Sequence, residues 1–380
     1  MTDVPADMPV ARGRGNSGGF AGWNARLIAS RRFQKWAAGS FLTRRIVRRE
    51  GEALFDLLAG FCHSQILSAL VQFEMPGKLM NAPMTAEELS VQCNVPLDRM
   101  VILVRAATAL GLLKRKRGGK IGLTRRSAAL VGVPGLQAMI RHHDILYRDL
   151  ADPAAFFRGE TETELASFWP YVFGGDMEPR AAAAYSDLMA QSLELVADDT
   201  LRSVDLSNVK TLLDVGGGSG AFLAAAGREF PHLNLMLFDL PEVAPSAQPR
   251  FERAGVAGRS TILGGSFLND PIPSGADAIS LIRVLYDHSD STVTALLAKC
   301  FDALPAGGRL IISEPMLGGD VPERAGDVYF ALYTLAMKTG KTRSLLEIKA
   351  LCEAAGFEIS ASPAPFRPFI TRCLEARKRL

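Results

Sequence analysis

The stretch Leu212-Leu213-Asp214-Val215-Gly216-Gly217-Gly218-Ser219-Gly220 limits the possible folds more than any other part of the chain. An apolar run of strand length enters a loop with glycine at alternate positions, and Phe222–Arg228 continues as a helical stretch. Glycine lets a chain turn tightly and lets backbone N–H groups approach a ligand closely. The run Leu235–Phe238 then ends in Asp239-Leu240-Pro241. Similar short apolar runs are Thr211–Val215, Asn234–Phe238, Ser260–Leu263, Ala278–Ile282 and Arg309–Ser313, with helical stretches between them. Near the C-terminus, Glu358–Ala361 is expected to pair with Ile370–Ala376. This alternation predicts an α/β, doubly wound parallel sheet.

A glycine loop alone is a weak signal, and three readings meet here. One is a purely structural strand–helix turn. A second is a dinucleotide site, but that fingerprint usually opens a chain and has no acid at the place of Asp214. The third is S-adenosylmethionine. That ligand is cationic and favours carboxylates over a helix end suited to pyrophosphate. The Asp-x-Gly-x-Gly-x-Gly order of Asp214, Gly216, Gly218 and Gly220 fits it, and Asp239 can accept both hydroxyls of a ribose.

The N-terminal half reads differently. Residues 1–20 are mostly proline, glycine and small or polar residues and predict a disordered tail. Residues 1–50 hold 10 Lys+Arg against 3 Asp+Glu. From Gly22 to Arg49, arginines mix with Trp23, Leu27, Ile28, Phe33, Trp36 and Phe41. This is either a segment that docks on a membrane surface or a basic helix packed on its own protein through the aromatics. Ala53–Phe73 has helical spacing. Thr85 with Glu88 marks a helix start, Asp98–Leu113 reads as an apolar third helix, and Lys114–Gly119 with Ile121–Leu123 reads as a basic hairpin. Together they predict a winged helix-turn-helix. Such a motif can bind DNA, but the third helix offers only Arg99 and Arg105 as free cations. A structural or dimerisation use is the better reading. Residues 135–205 read as helical, interrupted by the aromatic run 168–173.

A chain of 380 residues predicts two or three domains. The five cysteines are scattered without metal or redox spacing, which predicts a reducing, cytoplasmic setting and no metal. A net charge of +3 points to no general partner. No apolar run reaches the roughly 20 residues of a membrane span, and no signal-peptide core is expected.

Several motifs fall in one family's order: Asp214–Gly220, Phe238–Pro241, Gly264–Phe267, Arg283–Asp290, Leu304–Gly308 and Ser313-Glu314-Pro315. On these the chain resembles the S-adenosylmethionine-dependent O-methyltransferases with a winged-helix dimerisation domain, over roughly residues 50–375. RVLYDH (Arg283–His288), SEPM (Ser313–Met316), Arg324–Met337 and His142–Leu150 resemble more narrowly the demethylspheroidene/hydroxyneurosporene O-methyltransferases of purple phototrophic bacteria, as does the basic N-terminal segment. That group methylates the tertiary hydroxyl of an acyclic carotenoid.

The resemblance implies a Rossmann-like methyltransferase domain over residues 206–380 and a helical, winged-helix region over 21–205. It implies that Gly216 and its neighbours approach the amino-acid moiety of S-adenosylmethionine, that Asp239 and Leu240 hold the ribose, and that Ser266 and Phe267 flank the adenine. The family usually has Asp at Ser266, and Arg283 replaces a family lysine near the cofactor. Plant-type members put a histidine base at the position of Tyr286 and its glutamate partner at that of Thr342; both are missing. Tyr286 or His288 is therefore the candidate group for orienting or accepting the hydroxyl proton, with Glu314 at another acidic position. His142 and His143 read as a helix-surface pair, or with His143 facing the substrate. Trp169, Tyr333 and Met337, with Phe168, Tyr171, Phe173, Tyr329, Phe330 and Leu332, offer surface for a long apolar substrate.

The expected protein is a homodimeric carotenoid O-methyltransferase that uses S-adenosylmethionine and no metal. It is expected in the cytoplasm, peripheral to the inner photosynthetic membrane through residues 22–49, with no nucleic-acid partner. The rivals are an enzyme of the same fold acting on a bacteriochlorophyllide, polyketide or quinone, and a DNA-binding regulator.

Overall fold

The computed structural model describes residues 25–168 and 193–379. The expected tail and Trp23, Trp169, Tyr171 and Phe173 lie outside them. The chain divides into two compact units, one ending at Ala69 and the other Leu70–Leu380. The boundary expected at 205/206 therefore falls within the second unit.

In the first unit, helix Arg31–Gly39 is capped by Ser30, whose hydroxyl accepts from the Phe33 N–H. Thr43 begins the next turn, and helix Arg44–Gln72 runs on from it. The aromatics do not bury themselves as a self-packed basic helix would require. Trp36 and Phe41 are 60% and 76% exposed, and Leu42, Leu54, Phe55, Leu57, Leu58 and Phe61 are exposed too. By length and composition, helix Arg44–Gln72 is long and apolar enough to cross a membrane. This corrects the expectation of no such segment: Asp56 is the lone charge from Ala53 to Gln72, and helical continuity joins apolar runs that are short in sequence.

The second unit opens with helices Met75–Asn81, Ala86–Cys93 and Leu97–Ala109, then strands β1 (Leu113–Arg115) and β2 (Ile121–Leu123), paired antiparallel. The capping box is present: the Thr85 side chain accepts from Glu88 N–H, and the Glu88 carboxylate accepts from Thr85 N–H. The third helix stops short of the expected Leu113. Gly111 takes a positive φ of 68°, and Leu113 turns inward as the first, buried residue of β1. The solvent side of this helix carries the apolar Leu97, Val101 and Ile102 beside the exposed Arg99 and Arg105.

The sheet comprises β3 (Thr211–Val215), β4 (Asn234–Asp239), β5 (Ser260–Gly264), β6 (Ala278–Ile282), β7 (Arg309–Glu314), β10 (Phe357–Ala361) and β11 (Arg372–Lys378). Two short strands, β8 (Met316–Leu317) and β9 (Arg343–Ser344), pair separately. The order is β10-β11-β7-β6-β3-β4-β5. Strands β3 to β7 run parallel, while β11 is antiparallel to both β7 and β10. The expected strands are thus present within a residue or two. Alternate residues go to opposite faces, so Leu212 and Leu235 join one core and Leu213, Val215, Ile279 and Leu281 the other. The order reverses beside β3, opening a crevice at the carboxyl ends of β3, β4 and β6.

Candidate active site

The glycine loop lies at that crevice. Gly216, Gly218 and Gly220 have φ of 69°, 57° and 71°, backbone that side chains rarely adopt. Gly217 is required for another reason: a Cβ there would meet the Asp214 carboxylate and Leu237 at 2.5 Å. The Gly216 N–H donates to the Phe238 carbonyl at 2.8 Å, tying the loop to the end of β4. Asp214 is fully buried beneath the loop and accepts from the Ser280 hydroxyl at 2.6 Å. Burial pushes its pKa up to about 7, and the Ser280 bond opposes that.

Asp239 Oδ2 accepts from Gly218 N–H at 2.6 Å and Oδ1 from Leu240 N–H at 2.7 Å. Burial raises its pKa, and the two backbone donors restrain the rise. Each oxygen keeps a second lone pair, the two acceptors a ribose diol needs. Phe267 stands edge-on to His288, ring centroids 5.2 Å apart, and faces the space over Gly216 together with Val284. Ser266 is held at the same corner, its N–H donating to Asp270 Oδ2 at 2.8 Å.

The turn after β6 carries the other candidates. Arg283 adopts a φ of +58°, a costly conformation for a residue with a side chain. Its guanidinium donates to Tyr286 Oη at 3.1 Å and lies over that ring. Tyr286 is buried, and its phenol pKa is driven upward by burial. His288 is pushed down to about 4, by burial and then by Arg343. The residues 285–287 form a 3-10 turn, so His288 does not share the direction of Tyr286 as it would on a strand.

Glu314 faces backbone. Its Oε1 accepts from Val284 and Leu285 N–H at 2.7 and 2.8 Å, and Oε2 from Tyr286 N–H at 3.3 Å. Burial raises its pKa to about 7 despite these donors.

The two histidines of helix Leu136–Asp149 are not a surface pair. His142 Nε2 lies 2.9 Å from Tyr333 Oη, and His143 Nε2 lies 2.7 Å from Tyr329 Oη. The tyrosines sit on a π-helix, Arg324–Phe330, that runs into the α-helix Ala331–Met337. Met337 packs with Leu146, Phe156 and Leu165 and has no exposed surface. Thr342 meets Thr334 hydroxyl to hydroxyl at 3.2 Å.

Sequence reasoning passed over Arg343 and Asp287. The buried Arg343 donates to Asp290 Oδ1 and to the carbonyls of Leu285, Lys341 and His288, pinning the whole turn. Nothing local in the sequence marks it. Asp287 Oδ1 is buried without a hydrogen-bond partner among the described residues, beside Glu314. Its place next to Tyr286 in RVLYDH was the signal available. Among the described residues no group of three metal-ligating side chains forms.

This fold and this crevice define an S-adenosylmethionine-dependent O-methyltransferase. A model of the O-methyltransferase domain matches residues 147–358, and the chain belongs to that family. It is 52% identical over 371 residues to the demethylspheroidene O-methyltransferase of Cereibacter sphaeroides, covering 97% of each chain. It is 50% identical to the enzyme of the same name from Rhodobacter capsulatus, covering 98% of this chain and 92% of that one. In fold it is similar to human N-acetylserotonin methyltransferase, solved in complex with S-adenosylmethionine, with a TM-score of 0.72 at 24% identity over 87% of this chain and 98% of that one.

Proposed function

We propose that this enzyme transfers the methyl group of S-adenosylmethionine to the tertiary hydroxyl of an acyclic hydroxycarotenoid, in spheroidene-type carotenoid biosynthesis. The observation that carries this is the near full-length identity, at 52%, to a demethylspheroidene O-methyltransferase.

S-adenosylmethionine supplies an electrophilic methyl on a positively charged sulfur. The residues of the crevice suit such a ligand. Gly216, Gly218 and Gly220, which carry no side chains, let the loop backbone lie close against its amino-acid part, and Asp214 sits beneath that loop. Asp239 takes the ribose hydroxyls with Leu240 beside it. Ser266 and Phe267 flank the adenine, and Arg283 closes the site. Glu314 acts as a positioning residue, through the three N–H groups it fixes in the turn.

An aliphatic alcohol is a far weaker acid than a phenol, whose pKa is about 10, so its oxygen is not deprotonated in advance. Alignment of the hydroxyl with the methyl carries much of the rate, and the proton leaves late. Tyr286, polarised by Arg283, orients the hydroxyl, and His288 closes the cofactor side against Phe267. His143 and Tyr333 border the substrate, and Met337 backs Tyr333 from the core.

The enzyme works as a cytoplasmic homodimer, peripheral to the inner membrane. The exposed apolar groups of the winged helix, Leu97, Val101 and Ile102, favour association, and the basic, aromatic segment 25–49 favours a lipid surface.

The test is acceptor competition. Purified protein and labelled S-adenosylmethionine receive a 1-hydroxy acyclic carotenoid in detergent micelles beside a flavonoid, a quinol and a chlorophyllide. Label is expected in the carotenoid. Label in one of the others with none in the carotenoid rejects the substrate.

A further inference from the structure

Helix Leu136–Asp149 meets the run Arg324–Met337 through imidazole and phenol, and one of these pairs stands at the reacting end of the site. Tyr333 lies within electrostatic reach of Tyr286, Tyr329, Asp287 and Arg283, and its helix packs against the turn after β6. Its hydroxyl is held 2.9 Å from His142 Nε2. Building on the function proposed above, we infer that Tyr333 and His142 form the proton relay of the reaction. Tyr333 Oη takes the proton of the substrate hydroxyl and passes its own to His142 Nε2.

The other candidates are committed elsewhere. Tyr286 Oη already accepts from the Arg283 guanidinium, which makes it a better donor and a poorer proton acceptor. Glu314 spends both oxygens on backbone N–H groups. His288 lies against Phe267, on the side proposed for the adenine. The second imidazole–phenol pair, His143 with Tyr329, is less enclosed: Tyr329 is half-buried, whereas Tyr333 is only 5% exposed. Exclusion of water from Tyr333 keeps the proton on the relay.

The balance is simple. The oxygen–carbon bond forms as the carbon–sulfur bond breaks, and the sulfur leaves as a neutral thioether. The substrate O–H bond breaks, Tyr333 ends with one proton as it began, and His142 becomes an imidazolium that returns its proton to water after product release. His142 is neutral at pH 7, since burial, then the neighbouring His143, hold its pKa down to about 4. A base this weak is sufficient because the oxygen it serves is already bonded to the incoming methyl, and an alkylated oxonium is a far stronger acid than imidazolium.

The test uses full-length Tyr333→Phe, His142→Ala and the double variant, with Tyr329→Phe as comparison, on the 1-hydroxy carotenoid in micelles. Each single variant is expected to lose about 100-fold in kcat, with KM for carotenoid and Kd for S-adenosylmethionine within about twofold of wild type. The double variant should fall no further than the worse single, since both break one path. Added imidazole should restore part of the kcat of His142→Ala and none of Tyr333→Phe. Tyr329→Phe should lose at most a tenth as much. Retained Kd for S-adenosylmethionine reports that a variant is folded. The relay is overturned if both singles keep kcat within about threefold, if their losses multiply, or if Tyr329→Phe loses as much as Tyr333→Phe. Wild-type protein that methylates a phenol and no carotenoid defeats the substrate reading alone; the same variants then decide the relay on that phenol.

Discussion

At the scale of single residues, the site is a place where backbone and charge are both held away from their resting states. Asp214 shows the second. Its folded pKa, about 7, is above its ordinary 3.8. Its contribution to stability is therefore fully present below about 3.8 and lost as pH rises through 7. In Asp214→Asn the titration is gone and the Ser280 bond can remain. Between pH 5 and 8 the variant should gain on wild type in urea unfolding, by at most about 3 kcal/mol. Parallel stability curves would refute the assignment. The glycines were legible in sequence because each answers a local demand: a positive φ at Gly216, Gly218 and Gly220, and a carboxylate pressed against Gly217. The positive φ of Arg283 was not legible, since only the surrounding fold imposes it.

At the scale of elements, the strands of the sheet were readable because burial on both faces writes apolar runs into the sequence. The winged helix was readable through its capping box and basic hairpin. The π-helix Arg324–Phe330 was not. Its path is set from outside, by Asp327 accepting from Gly318 and Glu323 N–H at 2.8 and 2.7 Å and by Gly326 lying against the Met316 carbonyl. The pairing of His142 and His143 with Tyr333 and Tyr329 depends on that path, and sequence spacing alone left the histidines on a surface. The turn 285–288 likewise rests on a distant residue. Arg343→Lys keeps the charge but loses the fork that reaches two carbonyls and Asp290. It should cost about 3 kcal/mol in thermal or urea unfolding and lower kcat, because the turn carries Tyr286. Unchanged stability would mean the lysine finds the same partners.

At the scale of the whole molecule, the apolar side chains exposed between Trp36 and Phe61 need a partner, since a chain in water rarely leaves so many uncovered. An acyclic carotenoid is dissolved in membrane, so an enzyme that methylates it gains from a lipid-binding segment. Removal of residues 1–49, which takes away the basic cluster with Trp36 and Phe41 and leaves Leu54–Phe61, should weaken flotation with anionic liposomes while S-adenosylmethionine binding persists. Flotation equal to that of the intact chain would deny the segment this role. The central claim concerns the product. Incubation with S-adenosylmethionine carrying a deuterated methyl, followed by mass spectrometry of the extracted carotenoid, reads it directly. The account predicts one labelled methyl as an ether on the former tertiary hydroxyl. Unlabelled carotenoid beside labelled phenolic product, or label on carbon, would contradict it.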